Sequence, residues 1–137
     1  MSCEHMKERS FKNQKMIWRL DPPISFCAPV AINFEDDNEI IIDKNEISIR
    51  FIQPLVDPIQ LEFHSENGFT KQLLAEIIYN QYVKIYKEDE DHLICVNGKQ
   101  TYKEGFKSNI RYWALENLYL EDIVYRDDSY YVPVMGM

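Results

Sequence analysis

The stretch that determines the fold is residues 69–87, which read FTKQLLAEIIYNQYVKIYK. Its apolar side chains recur with the spacing of an α-helix and form one stripe: Leu73, Leu74, Ile77, Ile78, Tyr82 and Ile85. Thr70 stands where a threonine can cap the N-terminus, and Phe69 can pack against Leu74 one turn later. The pattern predicts an amphipathic helix over residues 70–86 that covers one face of a sheet.

Short β-strand patterns precede this helix. Residues 39–43 and 46–52 are rich in isoleucine and are separated by turn residues, which predicts a hairpin. In the second run apolar and polar residues alternate, so one face is expected in the core and the other in water. Residues 59–64 alternate in the same way and predict a third strand. Residues 16–18 can begin a further strand that the Pro22-Pro23 pair is expected to end.

A second hairpin is predicted directly after the helix. Residues 88–91 are all acidic and indicate a solvated connector. Residues 93–96 and 99–102 then flank Asn97-Gly98, a dipeptide that favours a two-residue hairpin turn.

The last quarter of the chain predicts two strands. They cover residues 118–125 and 130–134, around a turn at residues 126–129. Residues 108–117 show a weaker helical stripe and are the candidate for a second short helix. The elements together predict an α+β class, with a mainly antiparallel sheet packed by one long helix.

The length and composition indicate one domain. The chain has 137 residues, of which 45% are hydrophobic and 28% charged, and this size is sufficient to bury a core. Residues 1–14 are polar and unpatterned, so we expect a mobile basic N-terminal arm there and a single domain over residues 15–137.

The charge is unevenly distributed. Residues 1–20 have five bases and two acids, whereas the other residues have ten bases and twenty-one acids, which gives the net charge of −8. The acidic body argues against general binding to nucleic acids or anionic membranes, because phosphate contacts require a basic surface. Nucleic-acid binding is expected only through the basic residues of the arm, namely Lys7, Arg9, Lys12 and Lys15.

Cysteine usage and hydropathy predict an intracellular address, in the cytoplasm or in a virion. Cys3, Cys27 and Cys95 are odd in number and lack CxxC spacing, which suits a reducing compartment. No apolar run typical of a secretory signal or a membrane span is present in the sequence. Cys95 lies among apolar residues of a predicted strand, so a buried neutral thiol is expected there.

The sequence shows no catalytic, cofactor-binding or metal-binding motif. His5, His64 and His92 lack the spacing of a zinc site, and the four glycines form no phosphate-binding loop. Four acidic clusters, at residues 35–37, 88–91, 121–122 and 127–128, leave one alternative: a divalent-metal-dependent hydrolase with an acidic cleft. Enzymatic activity is therefore left open, and its absence is favoured.

Tyrosine is the remaining distinctive feature, with nine residues in the chain. Tyrosine has an apolar ring and a polar hydroxyl and is enriched at protein interfaces. The aromatic candidates for an interface are Tyr79, Tyr86, Tyr112, Trp113, Tyr119, Tyr125, Tyr130 and Tyr131. Half-buried positions of amphipathic strands also use tyrosine, so a purely structural role is the alternative.

Two segments resemble small uncharacterised proteins of nucleocytoplasmic large DNA viruses. Those proteins have a helix with an aromatic-Thr start followed by Leu, Ile and Tyr, which here corresponds to residues 69–82. Their C-terminal Tyr-x-x-x-x-Gly segment is similar to Tyr131–Gly136, although Met137 stands where a small polar residue is expected. The resemblance implies an intracellular or virion-associated protein and assigns no catalytic residue. The expected function is a non-enzymatic protein-interaction or structural module that binds a partner or itself.

Overall fold

The computed structural model describes residues 13–27, 39–111 and 114–136. It is an α+β fold with nine strands and one α-helix in these residues. The strands are β1 (Gln14–Ser25), β2 (Ile40–Ile42), β3 (Glu46–Phe51), β4 (Ile59–His64), β5 (Phe69–Thr70), β6 (Leu93–Val96), β7 (Lys99–Tyr102), β8 (Tyr119–Arg126) and β9 (Tyr130–Gly136). The helix, α1, spans Lys71–Asp91, and a 3-10 turn spans Leu115–Asn117.

Five of the strands form the main sheet, in the order β1-β8-β9-β3-β4. Neighbouring strands are antiparallel except β3 and β9, which are parallel. Two smaller ladders, β2-β5 and β6-β7, complete the described part of the chain. The predicted mainly antiparallel sheet is therefore confirmed, as are the third strand, the Asn97-Gly98 hairpin and the two C-terminal strands.

Helix α1 packs on one face of the main sheet, as predicted. Thr70 caps the helix, because its hydroxyl accepts a hydrogen bond from the backbone N–H of Leu73 at 3.1 Å. Leu74, Ile78 and Tyr82 are fully buried in one core cluster, together with the inward side chains of β3. The alternation of β3 and the stripe of α1 therefore meet in a single apolar core.

The predicted hairpin between residues 39–43 and 46–52 is wrong. Strand β2 pairs instead with β5, and β3 pairs with β4 in a continuous register from Glu46↔His64 to Phe51↔Ile59. The turn residues between β2 and β3 therefore link two different sheets.

Two helix predictions also need correction. The acidic residues 88–91 do not form a connector, because α1 continues to Asp91 and its C-cap is His92. The proposed second helix over 108–117 is replaced, where the chain is described, by an extended segment with a bridge at Ile110 and by the 3-10 turn. Its carbonyl and amide groups bond to the segment before β4 instead, as in Val56 N–H to Asn109 O at 2.8 Å.

The N-terminal predictions fall partly outside the described residues. Strand β1 does not end at Pro22-Pro23 but continues to Ser25, with a register irregularity between Arg19 and Ile24. Of the predicted basic arm, residues 1–12 lie outside the described part, and Lys15 lies on β1 opposite Tyr125.

Candidate functional site

Three of the predicted interface tyrosines lie on strands β8 and β9 of the main sheet, two on one face and one on the other. The rings of Tyr125 and Tyr131 are paired across β8 and β9, with centroids 4.6 Å apart. Lys44 lies over both rings, and its Nζ donates a hydrogen bond to the Tyr125 hydroxyl at 3.4 Å. A cation over two aromatic faces is attracted by their quadrupoles.

The third tyrosine, Tyr130, is adjacent to Tyr131 on β9, so its side chain lies on the opposite face of the sheet and has its own cation. The Arg50 guanidinium lies 4.2 Å from the Tyr130 ring centroid, and its Nε donates to Gln60 Oε1 at 2.9 Å. The Tyr130 hydroxyl in turn donates to Asp127 Oδ2 at 3.3 Å. We call Lys44, Tyr125 and Tyr131 the tyrosine–cation cluster, and Arg50 with Tyr130 is a separate pair on the other face.

The electrostatics of this cluster favour a neutral phenol next to a charged amine. The hydrogen bond to Tyr125 raises the pKa of Lys44 above its ordinary value. Burial raises the pKa of Tyr131, although the nearby Lys44 opposes the effect. The Lys44 ammonium and the Tyr125 hydroxyl are thus paired within the chain, and Tyr131 beside them is buried.

The second candidate region is a cleft of about 970 Å³ beside the C-terminal end of α1. Strands β6 and β7 form one wall, and the segment around Ile110 and Arg111 forms another. Tyr86 and Asp89 of the helix complete the lining, together with Val56 and Gln100. The cleft thus has aromatic, apolar and charged groups side by side, as expected for a surface that recognises another molecule.

Asp89 is the central polar group of the cleft. Its Oδ2 accepts a hydrogen bond from the Tyr102 hydroxyl at 2.7 Å, which raises the pKa of Tyr102. Its Oδ1 is shielded from solvent and has no hydrogen-bond partner among the described residues. Burial, followed by the charges of Asp89 and Glu116, raises the pKa of Tyr86 to about 12. The Tyr86 hydroxyl therefore stays protonated at neutral pH.

The β6–β7 hairpin is held at its base and exposed at its tip. The imidazole of His92 stacks on Phe106 with ring centroids 3.9 Å apart, and Phe106 also contacts Tyr102. Beyond this base, Ile94 and Val96 are 36% and 47% exposed. They lie opposite Thr101 and Lys99 on the hairpin face that does not line the cleft. We call this exposed face, with Ile94 and Val96, the hairpin surface.

The eight predicted aromatic residues do not form one patch. Tyr125 and Tyr131 belong to the tyrosine–cation cluster, and Tyr131 is buried in the core with 5% exposure. Tyr130 pairs with Arg50 on the other face, and Tyr86 lines the cleft. Tyr79 packs edge-on against Phe26 of the core, and Tyr119 is exposed on β8. Tyr112 and Trp113 lie outside the described residues.

Sequence reasoning missed the residues that organise these tyrosines. Lys44 and Arg50 are separated from their aromatic partners by some eighty positions, so no local pattern could connect them. The sequence predicted only the position of Tyr102 in the hairpin, because the Asn97-Gly98 turn places it opposite Leu93.

The structure gives no site to the metal-dependent alternative in the residues it describes. Over that part of the chain, no group of three or more His, Cys, Asp or Glu side chains is close enough to hold a metal ion. The acidic cluster at 35–37 lies outside the description. The expectation of a buried thiol at Cys95 is wrong, since this side chain is exposed on the hairpin.

Comparison with known proteins assigns no relative. No protein-family model, no curated protein and no solved structure matches the chain. Among the described residues no helix has the length and apolar character needed to cross a bilayer.

Proposed function

We propose that the chain is a non-enzymatic protein-interaction module whose main contact surface is the hairpin surface. The observation that supports this proposal is the concentration of exposed apolar side chains there. Ile94 and Val96 are two of the six large hydrophobic residues that the described chain leaves exposed, and they lie next to each other on one face of the hairpin. Grouped apolar exposure of this kind marks binding surfaces, whereas scattered single residues need no explanation.

The mechanics of the hairpin support the same role. An isolated two-stranded hairpin is only marginally stable in water, so a hairpin that protrudes must be stabilised at its base. Here the His92–Phe106 stack and the Tyr102–Asp89 hydrogen bond provide that support. The tip gains little from its own chain, and binding a partner would bury Ile94 and Val96.

The cleft adds a polar feature that a partner can satisfy. A shielded carboxylate oxygen without a partner costs about 1–3 kcal/mol. Oδ1 of Asp89 is such an atom, and Arg111 lines the same cleft. A protein segment with a hydrogen-bond donor for Asp89 and an apolar side chain for Tyr86 and Val56 fits this lining.

Arg50 and Tyr130, on the face of the main sheet away from the core, are the secondary contact surface in this proposal. Tyrosine and arginine are the residue types that most often dominate binding energy. The proposal also keeps a basic N-terminal arm as a contact for an acidic partner, through Lys7, Arg9 and Lys12. The resemblance of residues 69–82 and 131–136 supports a module of viral type, located in the cytoplasm or in a virion.

Site-specific photo-cross-linking tests the proposal. A benzophenone side chain introduced at Val96 should give one adduct of defined mass in an extract of the cells that express the protein. Ile94→Ser in the same chain should reduce that adduct, because it removes part of the apolar contact. An adduct with twice the mass of the chain would identify the partner as a second copy.

The matched control is the same probe at Asn80, an exposed position in the middle of α1, before the end of the helix that leads into the hairpin. It should give none of this adduct. Equal labelling from Asn80 and Val96, or none from Val96, would show that the hairpin surface does not bind a partner.

A further inference from the structure

The two edges of the main sheet differ in their protection. Edge strands expose unpaired backbone groups, and proteins usually block them with prolines, bulges or lysines. Strand β1 is blocked in this way, since it contains Pro22 and Pro23 and its register is irregular at two places.

Strand β4, at the other edge, has none of these devices. Its six residues are Ile59, Gln60, Leu61, Glu62, Phe63 and His64, and they pair with β3 without interruption. The inward side chains of this strand are only half-buried, including Leu61 and Phe63. In the part of the chain that the structure describes, the sheet ends at β4. The edge is therefore regular in its pairing and only partly covered.

The ladder shows which backbone groups of β4 face away from the sheet. Ser65 N–H donates to Asn45 O at 2.8 Å, so these opposed residues form a hydrogen-bonded pair. Such pairs alternate along an antiparallel ladder, so Phe63 and Leu61 also bond to β3. The N–H and C=O groups of Gln60, Glu62 and His64 consequently point outward.

We propose that this edge binds a second copy of the chain, with two β4 strands pairing antiparallel around a two-fold axis at Phe63. In this register Glu62 of each copy lies opposite His64 of the other. These two Glu62–His64 pairs are hydrogen-bonded pairs, and they join the two five-stranded sheets into a single sheet of ten strands. Each pair places a carboxylate beside an imidazole. The two Phe63 rings face each other on the half-buried side. This surface is distinct from the hairpin surface.

Charge and obstruction select this register. A two-fold axis at Glu62 would place the two Glu62 carboxylates directly opposite each other, which is destabilising. An axis at Leu61 would bring His64 of the second copy against Pro58, which has no N–H. Ser65 of the second copy would then face Asp57, whose backbone N–H and C=O already bond to the Asn109 side chain.

Sedimentation equilibrium of purified protein tests the proposal over a range from about 10 µM to about 1 mM. The average mass should rise towards that of a dimer as the concentration increases. His64→Glu creates two Glu–Glu pairs and Glu62→His creates two His–His pairs, so each variant should dimerise about tenfold more weakly.

Mixing the two variants gives the decisive measurement. In the mixed dimer every Glu faces a His, so an equimolar mixture should recover the association of the wild-type protein. Glu104→His changes charge on an exposed turn away from β4 and should behave like the wild type. Thermal melting of each variant verifies that it is folded.

A wild-type protein that stays monomeric at about 1 mM would overturn the proposal. So would a folded His64→Glu variant that dimerises as well as the wild type, or a mixture that associates no better than its components. Because the hairpin surface is unchanged in all these variants, its cross-linking result is independent of this outcome.

Discussion

The two ends of helix α1 have opposite environments. Near the N-terminal end, Leu74, Ala75 and Ile78 are fully buried against the sheet, and Tyr82 is the last fully buried residue along the helix. After Ile85 no residue of the helix is buried, and the chain continues into the exposed β6–β7 hairpin. The difference separates a part of the molecule that stabilises the fold from a part whose apolar side chains remain available for contacts. Each prediction below changes one of these two parts.

Replacement of Ile78 should have the largest effect. Ile78→Ala leaves a cavity in the core and is expected to lower the free energy of unfolding by about 2–5 kcal/mol. Ile77→Ala is the matched control. Ile77 is only partly buried, so this substitution should lower the free energy of unfolding clearly less. Urea unfolding of both variants measures the two losses. Equal losses would mean that the N-terminal half of α1 does not pack as described.

Much of this asymmetry could be predicted from the sequence. The 3.6-residue period identified the buried stripe, and the Thr70 cap is confirmed by its hydrogen bond to Leu73 N–H. The end of the helix was missed because the acidic residues 88–91 were interpreted as a solvated connector. They contain no helix breaker, so the helix can continue through them. The helix continues there with an ion pair between Lys87 and Asp91 at 3.6 Å, and Asp89 accepts the hydrogen bond from Tyr102.

The partners of β2 and β3 could not be predicted from local signals. The turn residues at 43–45 predicted pairing of β2 with β3, but turn chemistry does not say which strand lies alongside. The tyrosine–cation cluster was missed for the same reason, since Lys44 reaches Tyr125 only after β3 has joined the main sheet through β9. Contacts between distant parts of the chain depend on packing, which a single sequence does not encode as a pattern.

An intermediate effect is expected at high pH, where Tyr86 marks the boundary between the two ends. Its pKa in the folded chain is about 12, because of burial and then the charges of Asp89 and Glu116, against about 10 when unfolded. The unfolded chain therefore loses this proton first, so stability is intact below pH 10 and falls as the pH rises towards 12. Tyr86→Phe should make the fall of the free energy of unfolding with pH less steep. The difference in slope should correspond to less than one proton, since the group is only half-buried.

Urea unfolding at pH 9 and pH 11 measures this change. Burial also raises the pKa values of Tyr82 and Tyr131, so the variant should retain part of the wild-type decline. Tyr119→Phe, on an exposed ring, is the control and should leave the slope unchanged. An identical decline in the wild type and in Tyr86→Phe would contradict the assignment of a raised pKa to Tyr86.

The smallest effect on stability is expected at the hairpin tip. Ile94→Ser removes an exposed side chain from a two-stranded ladder, so the free energy of unfolding should change by about 0.5 kcal/mol or less. The same substitution at Ile47, which is buried on β3, should cost about 3 kcal/mol or more. Urea unfolding of the pair checks this contrast. A large loss from Ile94→Ser would mean that the tip stabilises its own chain, and the reason to assign it to a partner would disappear.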